Sequence, residues 1–155
     1  MPFQILPLSA DPFRALYGLD EAALAAHGVL RRIAEERNAF PCRVSLRDAE
    51  PGEAMLLLNY EHLPLASPYR ARHAIFVRDG AEPFQPAAGE VPDVLRRRLL
   101  AVRSYDQGGM MLDAEIVQGN DVEPVLERLL DHPQAAFLHL HNAKRGCYAA
   151  KAVRV

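Results

Sequence analysis

The apolar residues of this chain fall mostly into short bursts of strand period, with a single clear helical stripe. Met110, Leu112, Ala114 and Ile116 alternate with Asp113 and Glu115, as a strand with one polar face would. The preceding stretch, Leu99 to Tyr105, is separated from it by Asp106-Gln107-Gly108-Gly109, and together they predict a hairpin. Ala54 to Leu58 is an unbroken apolar run inside the segment Glu53 to Tyr60, bounded by Pro51-Gly52 and Pro64, and predicts a buried strand. His73 to Arg78, closed by Asp79-Gly80, predicts another. Between Asp121 and Asp131 the period changes: Val122, Val125, Leu126, Leu129 and Leu130 recur at helical spacing, and His132-Pro133 ends the helix.

The remaining segments fill in around these. Phe3 to Leu6 reads as a short edge strand stopped by Pro7, and Asp11-Pro12 as a helix start. Asp20 to His27 reads as a short helix capped by Asp20 and terminated at Gly28. Val29 to Glu35 is taken as a strand, Ala81 to Pro92 as a long loop, and Ala135 to His141 with Cys147 to Arg154 as a final pair of strands. Many strands, few helices and hairpin-length connections predict an α+β fold. It has a largely antiparallel sheet and two to four short helices in a single domain spanning residues 1–155.

Composition narrows the function classes. At 155 residues, half of them hydrophobic and a quarter charged, the chain can bury an ordinary core. Its formal net charge of −2 gives no global field for nucleic acid or an anionic membrane. No apolar run approaches the roughly 20 residues of a membrane helix. The N-terminus lacks the pattern of a secretory signal, so the expected location is cytoplasmic. Of the 18 basic residues, all but Lys144 and Lys151 are arginine, and Arg96-Arg97-Arg98 reads as a solvated surface run. No Gly-rich phosphate loop follows a strand, and no Gly-x-Ser-x-Gly elbow occurs. Cys42 and Cys147 are expected to be free thiols.

The residues with chemical potential gather near the end of the chain. With Asn142 to Gly146 as the loop, His141 would lie directly opposite Cys147, His139 opposite Ala149 and Phe137 opposite Lys151, all on one face. Leu138 and Leu140 would point to the core. Three readings fit such a face. Imidazole and thiol could form a nucleophilic pair, with Cys147 the nucleophile and His141 its base. His139, His141 and Cys147 could bind zinc or copper. A small cysteine could also simply pack at a strand end beside hydrogen-bonded histidines. His27, His62, His73 and His132 have no partner at metal spacing along the chain, so no metal site and no cofactor is assigned.

Arg43 and Arg103 lie beside element boundaries and near aromatics, where a guanidinium could clamp an anion or pair internally with Glu53 or Asp106. Tyr69 and Tyr105 offer polar tips on apolar bodies. The expected pocket therefore comprises Arg43, Tyr69, Arg103, Tyr105, His141 and Cys147. The leading expectation is binding of a small anionic metabolite, with a Cys/His-dependent enzyme and a homodimeric interaction module as the alternatives. Asp113 and Glu115 read as an exposed polar face.

A resemblance emerges from the residues at the joints. These are Pro41-Cys42-Arg43, Gly52-Glu53, Asn59-Tyr60, Ser67-Pro68-Tyr69 and Ala74 to Arg78, then Arg103-Ser104-Tyr105-Asp106, His141-Asn142 and Gly146-Cys147. Together they resemble a bacterial family known as domain of unknown function 1203. The resemblance implies a small single-domain bacterial protein of about this length, and carries across no catalytic residue.

Overall fold

A computed structural model describes residues 2–155 and shows an α+β fold of two antiparallel sheets. The larger sheet runs β1 (Phe3–Leu6), β8 (Tyr148–Arg154), β7 (Phe137–Asn142), β5 (Leu99–Tyr105) and β6 (Met111–Gln118), in that spatial order. The smaller consists of β2 (Leu30–Ile33), β3 (Ala54–Leu63) and β4 (Ala71–Arg78). Three helices accompany them: α1 (Glu21–Ala26), α2 (Asp93–Arg96) and α3 (Val122–Leu130).

Local chemistry accounts for most of these elements. Asp20 caps α1 by accepting a hydrogen bond from the Ala23 amide at 2.8 Å. The helix expected after Asp11-Pro12 is only a 3₁₀ turn at Arg14–Leu16. Tyr17 is already extended, with ψ near 134°, and Gly18 follows in the left-handed region, so the chain leaves helical geometry at once. Gly119, where β6 passes into α3, packs so tightly against the backbone carbonyls of Leu95 and Arg96 that no Cβ would fit.

Two cores follow from the faces these elements present. Leu100, Val102, Leu138 and Leu140 cover one face of the large sheet and meet Val122, Leu126, Leu129 and Leu130 of α3. A second cluster joins Leu24 of α1 to Met55, Leu56, Ile75 and Val77 of the small sheet, and includes Tyr148 of β8. The opposite face of the large sheet carries Arg103, His139 and His141, because directly opposed residues share a face and Arg103 opposes His139 while Ala101 opposes His141.

The polar face of β6 is not simply wet. Leu100 opposes Val117 and Ala101 opposes Ile116, which turns Asp113, Glu115 and Val117 toward α3. There Arg128 pairs with both carboxylates, while Ile116 on the other face is 65% exposed. The arginine run is likewise engaged internally. Arg98 grips the buried Asp48 carboxylate with two nitrogens, at 2.6 and 3.0 Å, Arg97 adds a third contact at 2.6 Å, and Arg96 pairs with Glu123. No helix among the described residues is long and apolar enough to cross a membrane.

Two β-bulges shape the region between the sheets. In β3, Glu61 opposes Arg72 and Leu63 opposes Ala71, so His62 is the extra residue. In β8, Leu140 opposes Ala150 and His141 opposes Tyr148, so Ala149 is the extra residue. A bulge bends its strand and re-aims a side chain, and here each delivers an aromatic ring to the same place.

Candidate metal centre

That place is a cluster of histidines between the sheets. His139 and His141 rise from β7, and His62 reaches them from the β3 bulge, all three buried. One ring nitrogen from each lies within 4.8 Å of the others. His62 Nδ1 and His139 Nδ1 are 3.3 Å apart. Two imidazoles bound at about 2.0–2.1 Å to one tetrahedral zinc ion would hold their nitrogens about 3.4 Å apart, so this spacing suits a shared metal ion.

The surrounding hydrogen bonds fix the tautomer of His141 and give the far nitrogen of His62 a partner. His141 Nδ1 lies 2.9 Å from the Gly146 carbonyl oxygen. A carbonyl can only accept, so this nitrogen carries the hydrogen and Nε2 carries the lone pair. That Nε2 is buried and has no hydrogen-bond partner. Behind His62, His73 Nδ1 is 2.7 Å from His62 Nε2, and the two ring planes lie within 16° of parallel. When His62 donates Nε2–H to His73, its Nδ1 faces His139 with a lone pair. A metal-binding histidine characteristically holds its other nitrogen in such a bond.

Tyr148 fixes the ring positions. Its ring stacks on His62, centroids 5.1 Å apart and planes 13° apart, and meets His139 edge-on at 5.0 Å. Burial pushes the Tyr148 phenol well above its ordinary range. The same desolvation acts on the imidazoles in the opposite sense. It lowers His62 to about 4, His139 to about 2 and His141 to about 3, with neighbouring His62, His73 and Arg103 adding repulsion toward a further positive charge. All three are therefore neutral near pH 7, the form that binds metal.

The six residues expected to form one pocket divide into two groups. His141, Arg103 and Tyr105 belong to the histidine face, with Tyr69 edge-on to Tyr105 at 6.3 Å. Arg43 and Cys147 form a separate pair: Arg43 Nη2 is 3.1 Å from Cys147 Sγ. The remaining guanidinium nitrogens donate to the carbonyls of Tyr148, at 2.8 Å, and Pro41, at 2.6 Å. Tyr148 thus joins the groups, its carbonyl holding Arg43 and its ring holding His62. Neither Glu53 nor Asp106 pairs with Arg43: Glu53 meets Arg47 and Arg78, and the Asp106 carboxylate accepts amides of its own turn. Beside Arg43 is a cavity of about 10 Å³, room for one water.

The expected opposition of His141 and Cys147 does not occur. His139 opposes Lys151 rather than Ala149, and His141 opposes Tyr148. At His141 the pairing has moved one residue from that of a simple five-residue loop, and the Ala149 bulge adds a second by His139. The sulfur turns instead to Arg43 and to Asn142 Nδ2, at 3.5 Å. Conversely, His62 and His73, without partners at metal spacing along the chain, find them in space. The signal for His62 was faint. It lies two residues past Tyr60 on a strand that reads as ending there, and only the bulge carries it inward.

The chain belongs to the family described as Protein of unknown function (DUF1203), which matches residues 39–154. That stretch contains every residue of the histidine cluster and both residues of the Arg43–Cys147 pair. No curated protein and no solved structure matches the chain closely enough to extend the comparison.

Proposed function

We propose that the protein binds a divalent transition metal ion, zinc in the first instance, through His62, His139 and His141. The observation that carries this reading is the buried, unpartnered Nε2 of His141, on a ring that brings one nitrogen within 4.8 Å of nitrogens of two further neutral histidines. A buried acceptor without a donor costs about 1–3 kcal/mol, and a metal ion removes that cost. Imidazole nitrogen is a ligand that zinc, copper and nickel accept readily. Three protein ligands on zinc leave a fourth position for water or substrate, the arrangement of catalytic rather than purely structural sites.

This reading departs from the expectation that no metal is bound. It is favoured over a Cys147–His141 nucleophilic pair because the partners of the two side chains differ: Arg43 and Asn142 for the sulfur, Gly146 for the imidazole. The test is equilibrium dialysis of untagged protein against zinc. The expected result is one tightly held ion per chain, lost in His62→Ala, His139→Ala and His141→Ala. His73→Ala is expected to weaken binding by about tenfold, the lower end of the effect for a residue that orients a ligand. Zinc uptake by the wild type no greater than by the His139→Ala variant would refute the reading.

A further inference from the structure

The charges around the histidines are all of one sign, and this bears on what else enters the site. Three neutral imidazoles leave a divalent ion with its full charge. Arg103 stands directly opposite His139 on the histidine face, and Lys151 opposes His139 from β8. Among the described residues no carboxylate is hydrogen-bonded or ion-paired to these histidines or to Arg103. The nearest acid along β3, Glu61, is taken by Arg70, at 2.9 Å, and by Arg72. A metal ion in this setting calls for an anion from outside the protein.

The topology shows where that anion can approach. The small sheet meets the large one at β4 and β8; Ser67 and Tyr69 cover the Tyr105 end of the same face of β5 and β6, while its β6 residues Ala114 and Ile116 stay exposed. On that face Arg103 opposes both His139 and Ala114, and Ala101 opposes Ile116. Arg103 and His73 are half-buried, Ala114 is exposed and Ile116 is 65% exposed. The result is a shelf with apolar side chains toward the β6 edge and a guanidinium beside the histidines. Lys151 stands on the same face but two strands away from β5, its ammonium over the Phe137 ring at 4.9 Å, so Arg103 is the cation next to β6.

Resting on the metal reading above, we propose that the open coordination position takes the carboxylate of a small organic acid. Arg103 holds that carboxylate, and the apolar body of the acid lies along Ala114 and Ile116. A guanidinium matches a carboxylate with two parallel hydrogen bonds. A single arginine beside an apolar strip suits a monoanion with a hydrocarbon substituent better than a multiply charged phosphate, which would draw on several cations.

The test is calorimetric titration of zinc-loaded protein with acetate, hexanoate and inorganic phosphate. Hexanoate is expected to bind about tenfold or more tighter than acetate, since each methylene partly withdrawn from water adds affinity, and tighter than phosphate. Arg103→Gln is expected to weaken both carboxylates by about tenfold or more while zinc stoichiometry stays unchanged. Ile116→Ser is expected to weaken hexanoate and leave acetate as it was. Zinc uptake with no carboxylate binding, carboxylate binding indifferent to Arg103→Gln, or phosphate binding tighter than hexanoate would overturn this inference and leave the metal reading standing. Failure of the wild type to take up zinc would overturn both.

Discussion

His62 Nδ1 and His139 Nδ1 approach to 3.3 Å although 77 residues separate them in the chain. Without a metal, one of these two nitrogens must carry a hydrogen and donate it to the other. With a metal, both lone pairs are used and neither hydrogen is needed. The contact therefore serves the metal-free protein as an ordinary hydrogen bond and the loaded protein as two sides of a coordination site.

Burial of these rings makes the metal-free fold sensitive to acid. Each imidazole in the cluster has its folded-state value lowered below the ordinary 6.5, to about 4 for His62 and about 3 for His141. Below pH 6.5 the unfolded chain then binds protons that the folded chain refuses, so stability falls as pH falls. The stabilisation is fully present above pH 6.5 and is lost progressively down through pH 4. Each histidine adds a slope of up to about 1.4 kcal/mol per pH unit in that window. Urea denaturation of metal-free protein between pH 7.5 and 4.5 measures it. Substituting His139→Leu is expected to flatten the curve, and an unchanged slope would contradict the burial argument.

Zinc is expected to stabilise the folded chain. An ion that binds only the folded state at a hundred times its dissociation constant adds about 2.7 kcal/mol. For a chain of this size that raises the melting temperature by roughly 5–10 °C. Thermal melts with and without zinc give the comparison. His141→Ala should abolish the increment, because it removes the nitrogen that the metal would satisfy.

Asp48 anchors the loop ahead of β3. Its side chain is 4% exposed and accepts from Arg97 and Arg98. Removing one partner of a buried ion pair leaves the other uncompensated and costs about 3–5 kcal/mol. Asp48→Ala is therefore expected to lower stability by roughly 3 kcal/mol in a denaturant titration, with Asp48→Asn intermediate. A loss within about 0.5 kcal/mol, typical of surface sites, would show that the pair is not structural.

The two thiols are expected to differ in accessibility. Cys42 is 2% exposed and its sulfur accepts from the amides of Ser45, at 3.4 Å, and Arg78, at 3.2 Å. Cys147 is partly exposed, beside Arg43. Iodoacetamide should label Cys147 in the folded protein and reach Cys42 only on unfolding, as peptide mass analysis would show. Equal rates for both would place Cys42 nearer the surface than the packing allows.

Much of the architecture was written in local pattern, and the centre was not. The β5–β6 hairpin, α1 with its Asp20 cap and the stripe of α3 each depend on neighbours within a dozen residues, so periodicity and turn chemistry reveal them. His139 and His141 were visible as an unusual polar pair on a buried strand. Their true companions were hidden for two reasons. His62 and His73 belong to a different sheet, and inter-sheet packing leaves no spacing signature along the chain. Both bulges add one residue to a strand, which moves every subsequent side chain to the other face. The loop moves the pairing by one residue, so His141 meets Tyr148 rather than Cys147, and the extra residue Ala149 moves it by a second, so His139 meets Lys151. Arg43 misled in another way: a fully buried guanidinium ordinarily implies a carboxylate, whereas here two carbonyls and a sulfur take its hydrogens.

Anomalous scattering at the zinc absorption edge, from crystals grown with zinc, tests the metal centre most directly. The account predicts one strong peak about 2.0–2.1 Å from each of His62 Nδ1, His139 Nδ1 and His141 Nε2. A map with no peak among these three rings, and His141 Nε2 instead hydrogen-bonded to an ordered water, would contradict it.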